Sequence, residues 1–168
     1  KHEPAIVSDD RTLLYFEFND LVSQSAGYLR GIGVKSGDRV GLFLPQDWRY
    51  PVLFFALLRL GAVACPISTR LPPAGAVKQL HDICARHVIA RVDPSRKTAL
   101  GDLTVIDPTD AIERRAGAEQ LAWDQQVDLD APAAVLFTSG SSGEPKPAVL
   151  SYGNFYYSAR GANVNMKI

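Results

Sequence analysis

The period of apolar and polar positions changes several times along this chain. Ala5–Val7 and Thr12–Tyr15 read as short strands around the turn-like Ser8-Asp9-Asp10. Phe18, Leu21, Val22, Ser25, Leu29 and Ile32 then recur at helical spacing, and Gly31 and Gly33 punctuate the end of that helix. After the turn Lys35-Ser36-Gly37-Asp38, the nearly continuous apolar run Val40–Leu44 predicts a strand buried on both faces. Trp48–Leu60 is helix-like, with Gly61 as its stop, and Val63–Ile67 is a second buried strand. A helix is expected from about Ala74 to Ala85, entered through Pro72 and Pro73, and a third strand over His87–Val92.

The pattern weakens between Asp93 and Asp130. Leu103–Ile106 is a strand candidate, and the charged, alanine-rich Ala111–Trp123 reads as a surface helix. Ala133–Thr138 and Pro147–Leu150 are further strands, and Ser151 is an N-cap for a helix starting at Tyr152. Alternation of short apolar strands with helices predicts an α/β fold, a mostly parallel sheet with helices on both faces. No repeat or low-complexity tract interrupts it, and 168 residues suit a single unit.

Composition excludes several functions. Lys plus Arg and Asp plus Glu both number 18, so no bulk charge draws the chain to nucleic acid or an anionic membrane. The most apolar stretch, Pro51–Ile67, is shorter than the ~20 residues of a bilayer span. It also holds Arg59 and is broken by Gly61 and Pro66, so no membrane span is expected. Two cysteines, Cys65 and Cys84, are too few for a disulfide framework and lie in no metal-binding spacing. Both are expected to be reduced, in or near the core of a cytoplasmic protein. The start, Lys1-His2-Glu3-Pro4, has no apolar signal core and no initiator Met, which suggests a chain cut from a longer one.

The chemistry concentrates in one loop. Thr138-Ser139-Gly140-Ser141-Ser142-Gly143-Glu144-Pro145-Lys146 combines four hydroxyls, two glycines that allow close backbone approach, and a lysine. Such a set can cradle phosphate, although on composition alone a turn or linker is the commoner reading. It is not a P-loop: Gly143 is followed by Glu144-Pro145, and Pro147 would spoil the helix start that a P-loop requires. His81 and His87 lack partners in sequence and are expected to be structural or on the surface. Trp48, Phe54 and Phe55 are expected in the core, and Arg114-Arg115 with Glu113 and Glu119 on a solvated helix face. Tyr156-Tyr157 either faces a substrate or packs under the loop.

The loop TSGSSGEPK resembles the signature loop of the adenylate-forming enzymes, the superfamily of acyl-CoA synthetases, luciferases and peptide-synthetase adenylation domains. Gly33–Pro45 is similar to that superfamily's G-V-x-x-G-D-R-V segment, and Phe54–Val63 to its A-x-x-x-G-A-V segment. The resemblance covers nearly the whole chain and implies the N-terminal part of the large domain of such an enzyme, residues 1–168 forming one fragment. It implies ATP-dependent activation of a small carboxylic acid through an acyl-adenylate, then transfer to CoA. By the same resemblance, Thr138, Ser139, Ser141 and Ser142 would bind the ATP phosphates and Gly140 and Gly143 would allow their approach. Pro145 would fix the loop's exit, Lys146 would be catalytic, supplying charge to the pyrophosphate, and Thr138 would lie near Mg²⁺.

Two positions depart from the pattern: Pro147 stands where the family usually has Gly, and Tyr152 where it usually has His. With Lys146–Asn154 and Ser158–Asn163, the region most resembles o-succinylbenzoate–CoA ligases of menaquinone biosynthesis. Other acyl- or aryl-CoA synthetases, adenylation domains, a non-catalytic nucleotide-binding module and a degenerate paralogue are the alternatives. The family's acidic magnesium segment, its adenine contacts and its C-terminal catalytic lysine lie beyond the loop. The fragment alone is therefore expected to be inactive.

Overall fold

A computed structural model describes residues 3–91, 100–113, 121, 126–138 and 145–166. It opens with a small antiparallel hairpin, β1 (Pro4–Val7) and β2 (Thr12–Leu14), in which Val7 faces Thr12 and Pro4 faces Leu14. Its turn is closed by the Ser8 N–H donating to the Arg11 carbonyl at 2.9 Å, while the Ser8 hydroxyl donates to Asp10 Oδ1 at 2.8 Å. The hydroxyl contact holds the Asp10 carboxyl below its ordinary range.

Helix α1 (Tyr15–Gly31) starts where the Glu17 carboxylate accepts the Leu14 N–H at 2.8 Å, satisfying one orphan donor of the first turn. It ends where the Gly33 N–H returns to the Arg30 carbonyl at 3.0 Å.

Among the described residues the main sheet has six strands, in the order β6 (Thr104–Ile106), β5 (His87–Ala90), β3 (Arg39–Phe43), β4 (Val63–Pro66), β7 (Pro132–Thr138), β8 (Lys146–Ser151). All neighbours are parallel except β7 and β8, which form an antiparallel hairpin. The mostly parallel α/β sheet expected from the sequence is thus present. The side-chain period of two sorts the strands between two cores. Val40, Leu42, Ala64 and Ile89 pack with Leu29, Leu53 and Leu57 of α1 and α2 (Arg49–Leu60). Val63, Cys65, Val88 and Val135 pack on the opposite face with Ala76 and Leu80 of α3 (Pro73–Asp82).

The two family-like segments meet at the N-terminal edge of the parallel strands. Gly61 ends α2 in the left-handed region, at φ +76°. Its carbonyl accepts the Gly37 N–H at 2.8 Å, and the Asp38 carbonyl accepts the Val63 N–H at 2.8 Å. These motif residues therefore build the scaffold, at the edge opposite the loop. Arg59, the charge inside the most apolar stretch, is 8% exposed and donates to the Asn19 carbonyl at 3.2 Å and to Asn19 Oδ1 at 2.8 Å. It thereby ties α2 to α1. Burial lowers its pKa, opposed by the nearby Asp20 charge.

Several expectations need correction. Cys65 is buried as expected, but Cys84, just past the end of α3 with φ +52°, is exposed. Of the surface helix expected over Ala111–Trp123, only Ala111–Glu113, the end of α4 (Pro108–Glu113), and Leu121 are among the described residues. Ala111 and Ile112 are buried against the core that holds α1 and α2. The charged half, including Arg114, Arg115 and Glu119, lies outside the described residues, and Glu113 is exposed. Trp48 is buried between the core and the guanidinium groups of Arg11 and Arg49, which lie 4.5 and 4.7 Å from its ring centre. Phe54 packs on the core, whereas Phe55 is 40% exposed.

Candidate functional site

The β7–β8 hairpin delivers both ends of the hydroxyl-rich loop to one place. Apolar Ala133, Ala134 and Val135 bury the base of β7. The ladder then runs outward through Leu136↔Ala148 and Phe137↔Pro147 to a closing pair, Thr138↔Lys146. There the Thr138 hydroxyl donates to the Lys146 carbonyl at 3.3 Å. Ser139, Gly140, Ser141, Ser142, Gly143 and Glu144 lie outside the described residues. Of the expected phosphate-binding residues, the structure therefore places Thr138 and Lys146, directly opposite each other and exposed, with Pro145 beside them. Pro147 is accommodated because β8 is the edge strand, where a residue without an N–H can face outward.

Beside this neck lies a groove of about 710 Å³, over the carboxyl ends of β3, β4 and β7. Its walls include Gln46 and Tyr50 after β3, Ser68 and Arg70 after β4, and Thr138 and Pro145 from the hairpin. β3 leads into α2 on one face of the sheet and β4 into α3 on the other. The groove thus sits where adjacent strands send their crossovers to opposite faces, the usual ligand crevice of an open parallel sheet. No carboxylate is among its described lining residues, Arg70 contributes a cation, and Lys146 stands at the neck. Hydroxyls, amides and cations without carboxylates suit an anion. Burial pushes the Tyr50 phenol up, so it stays neutral near pH 7. Among the described residues no group of three or more His, Cys, Asp or Glu side chains could hold a metal.

The model of the family described as AMP-binding enzyme matches residues 1–167. The chain belongs to that family.

Three of the chain's similarities carry detail. It is 31% identical over 165 residues to a 2-succinylbenzoate–CoA ligase of Listeria monocytogenes, covering 98% of this chain and 34% of that protein. It is 30% identical over 162 residues to a long-chain fatty-acid–CoA ligase of Mycobacterium tuberculosis, covering 90% of this chain and 32% of that protein. Its fold superposes on an o-succinylbenzoate–CoA synthetase of Bacillus subtilis in complex with AMP, with TM-score 0.87 and 25% identity, over 99% of this chain and 43% of that chain. The chain therefore spans about a third of the length of these curated relatives.

The other candidate side chains are not among the groove's described lining residues. His81 Nε2 is 3.1 Å from Asp102 Oδ1 on the surface. His87 is half-buried, with no hydrogen bond to Nδ1 among the described residues. Tyr156 and Tyr157 stack edge-to-face at 5.2 Å and are 47% and 62% exposed on α5 (Tyr152–Met166), and residues 139–144 of the loop lie outside the described residues. Sequence reasoning missed Gln46, Tyr50, Ser68, Arg70 and Gln79 as groove residues. A signal was present for most of them: Pro45 and Pro66 end or break parallel strands at their carboxyl ends, where ligands bind. Among the described residues no helix is long and apolar enough to cross a membrane.

Proposed function

We propose that this chain is the phosphate-gripping part of a longer ATP-dependent carboxylate–CoA ligase, the N-terminal portion of its large domain. In this reading a substrate carboxylate oxygen attacks the α-phosphorus of ATP and pyrophosphate leaves. The CoA thiol then attacks the acyl carbon of the acyl-adenylate and AMP leaves. The first step is helped chiefly by positioning and by stabilisation of charge on the leaving pyrophosphate. Thr138, Ser139, Ser141 and Ser142 donate to its oxygens, Gly140 and Gly143 let the backbone approach, and Lys146 supplies charge. Mg²⁺, when bound, would neutralise phosphate charge, and the Thr138 hydroxyl is the protein group that would face it.

One observation carries this reading: the pairing of Thr138 with Lys146 at the neck of the loop, beside a groove with no carboxylate among its described lining residues. Likeness to the Listeria and Bacillus proteins supports o-succinylbenzoate as the acid, a step toward menaquinone carried out in the cytoplasm. The test uses the full reading frame that contains this chain. Its product, incubated with ATP, Mg²⁺, CoA and o-succinylbenzoate, is expected to yield AMP and the CoA thioester by mass. A different acid adenylated in its place would refute the substrate, and no adenylation of any acid in a broad panel would refute the ligase reading.

A further inference from the structure

Helix α5 is poorly suited to water. Only one of its fifteen residues, Arg160, is charged, whereas the solvent face of an ordinary surface helix is rich in charge. Two glycines, three asparagines and a serine also make it a weak helix former, so packing rather than propensity must hold it. Yet its described burial is concentrated in the first turn. There Gly153 is buried, its N–H donating to the Leu129 carbonyl at 2.7 Å, and the Phe155 ring lies 5.9 Å from that of Phe54 on α2. From Tyr156 to Asn165 every residue except Ala162 is exposed. At 3.6 residues per turn, Tyr157 and Val164 share a face turned away from Phe155, and they are 62% and 77% exposed. The other side of the sheet is also bare at this end. Val149 on the edge strand β8 pairs with Val135 of the second core, yet it is 61% exposed.

We propose that the outer face of α5, centred on Tyr157 and Val164, is an internal docking surface covered by a later segment of the longer polypeptide. The proposal rests on the ligase reading above. About two thirds of the Listeria relative's length lies outside its match to this chain, so a polypeptide of that kind has ample length to supply the cover. A segment tethered in the same polypeptide meets the face at an effective concentration of roughly millimolar, which a second copy reaches only in concentrated solution. The chemistry points the same way. Arg160, the helix's one charge, lies 5.8 Å from the Tyr156 ring centre, and no charge cluster on α5 is available to steer a separate partner. Apolar faces with few charges are the mark of permanent interfaces rather than transient ones.

Amide hydrogen exchange compares this chain with the longer polypeptide, both without ligands. Residues 156–165 are expected to exchange at least about tenfold more slowly in the longer polypeptide. In this chain their rates are expected to be independent of protein concentration. Val164→Lys tests the face itself. Lysine is a good helix former and suits a helix's last turn, so the Tm of this chain should stay within about 1 °C of wild type. In the longer polypeptide the ammonium must be buried or the interface must part, and Tm should fall by about 4 °C or more. Equal exchange rates in the two polypeptides, or the same Tm change in both, overturn the proposal. Protection of residues 156–165 that grows with the concentration of this chain assigns the face to a second copy and also overturns it. Neither readout needs activity. A longer polypeptide that adenylates no acid therefore refutes the ligase reading alone, and exchange and Tm still decide what covers α5.

Discussion

Gly61→Ala isolates what the family-like G-A-V segment does. Gly61 holds φ +76°, and a Cβ there would lie 2.6 Å from Ser36 Oγ, with the Ser36 Cβ at 3.3 Å. An L-residue in the left-handed region costs about 1–2 kcal/mol. Ser36 must also rotate away, giving up its 3.3 Å hydrogen bond to the Gly61 carbonyl. That bond is exposed and long, so its loss adds about 0.5 kcal/mol. The expected destabilisation is about 2 kcal/mol, or a fall of about 4–8 °C in Tm for a chain of this size. Urea unfolding followed by circular dichroism measures it directly. The double variant Ser36→Ala/Gly61→Ala separates the contributions, because it removes the clash and keeps the backbone strain. The double variant should recover the steric part only and stay at least about 1 kcal/mol below Ser36→Ala. A Gly61→Ala chain within about 0.5 kcal/mol of wild type would refute the strain argument. In the longer polypeptide this substitution should leave the KM for ATP unchanged below the melting range, since Gly61 sits at the edge of the sheet opposite the loop.

Three further outcomes are expected. Lys146→Ala should slow ATP–pyrophosphate exchange in the longer polypeptide by about 10²–10³-fold with little change in Tm, and an unchanged rate would remove Lys146 from the site. Cys84 is exposed, whereas burial pushes the Cys65 thiol up to about 12. A thiol reagent at pH 8 should therefore modify one cysteine in the native chain and the second only after denaturation, and two fast-reacting thiols would contradict the buried placement of Cys65. Asp10 is held below its ordinary value chiefly by the Ser8 hydroxyl, so this contact contributes stability above that value and loses it as pH falls through the folded-state pKa. The stability gap between wild type and Ser8→Ala should accordingly shrink between pH 5 and pH 2, and a gap independent of pH would show that the hydroxyl acts only on the turn backbone.

Period and punctuation made the scaffold legible. Val40–Leu44, Val63–Ile67 and Ala133–Thr138 are short runs of apolar residues bounded by breakers, and each became a strand of the main sheet because both of its faces needed cover. The same signal was weak around α4: of the surface helix expected over Ala111–Trp123 the described residues hold Ala111–Glu113 and Leu121, and there Ala111 and Ile112 are buried. Burial of Ala111 and Ile112 depends on α1 and α2, far off in sequence, and no local pattern records that. The exposure of Cys84, just past the end of α3, is likewise recorded by no local pattern. The loop could be read as phosphate-binding only through its resemblance, because composition alone favoured a turn or linker. The groove needs no such resemblance. It arises because β3 and β4 send their helices to opposite faces, so the residues after each strand splay apart and leave a crevice between them. Gln46, Ser68 and Arg70 face that crevice because of where their strands end, whatever their side-chain types. The breakers after Leu44 and Ile67 mark where these strands end, but the sequence reading did not nominate Gln46, Ser68 or Arg70, because the crevice depends on a strand order and on crossover faces that the period does not record.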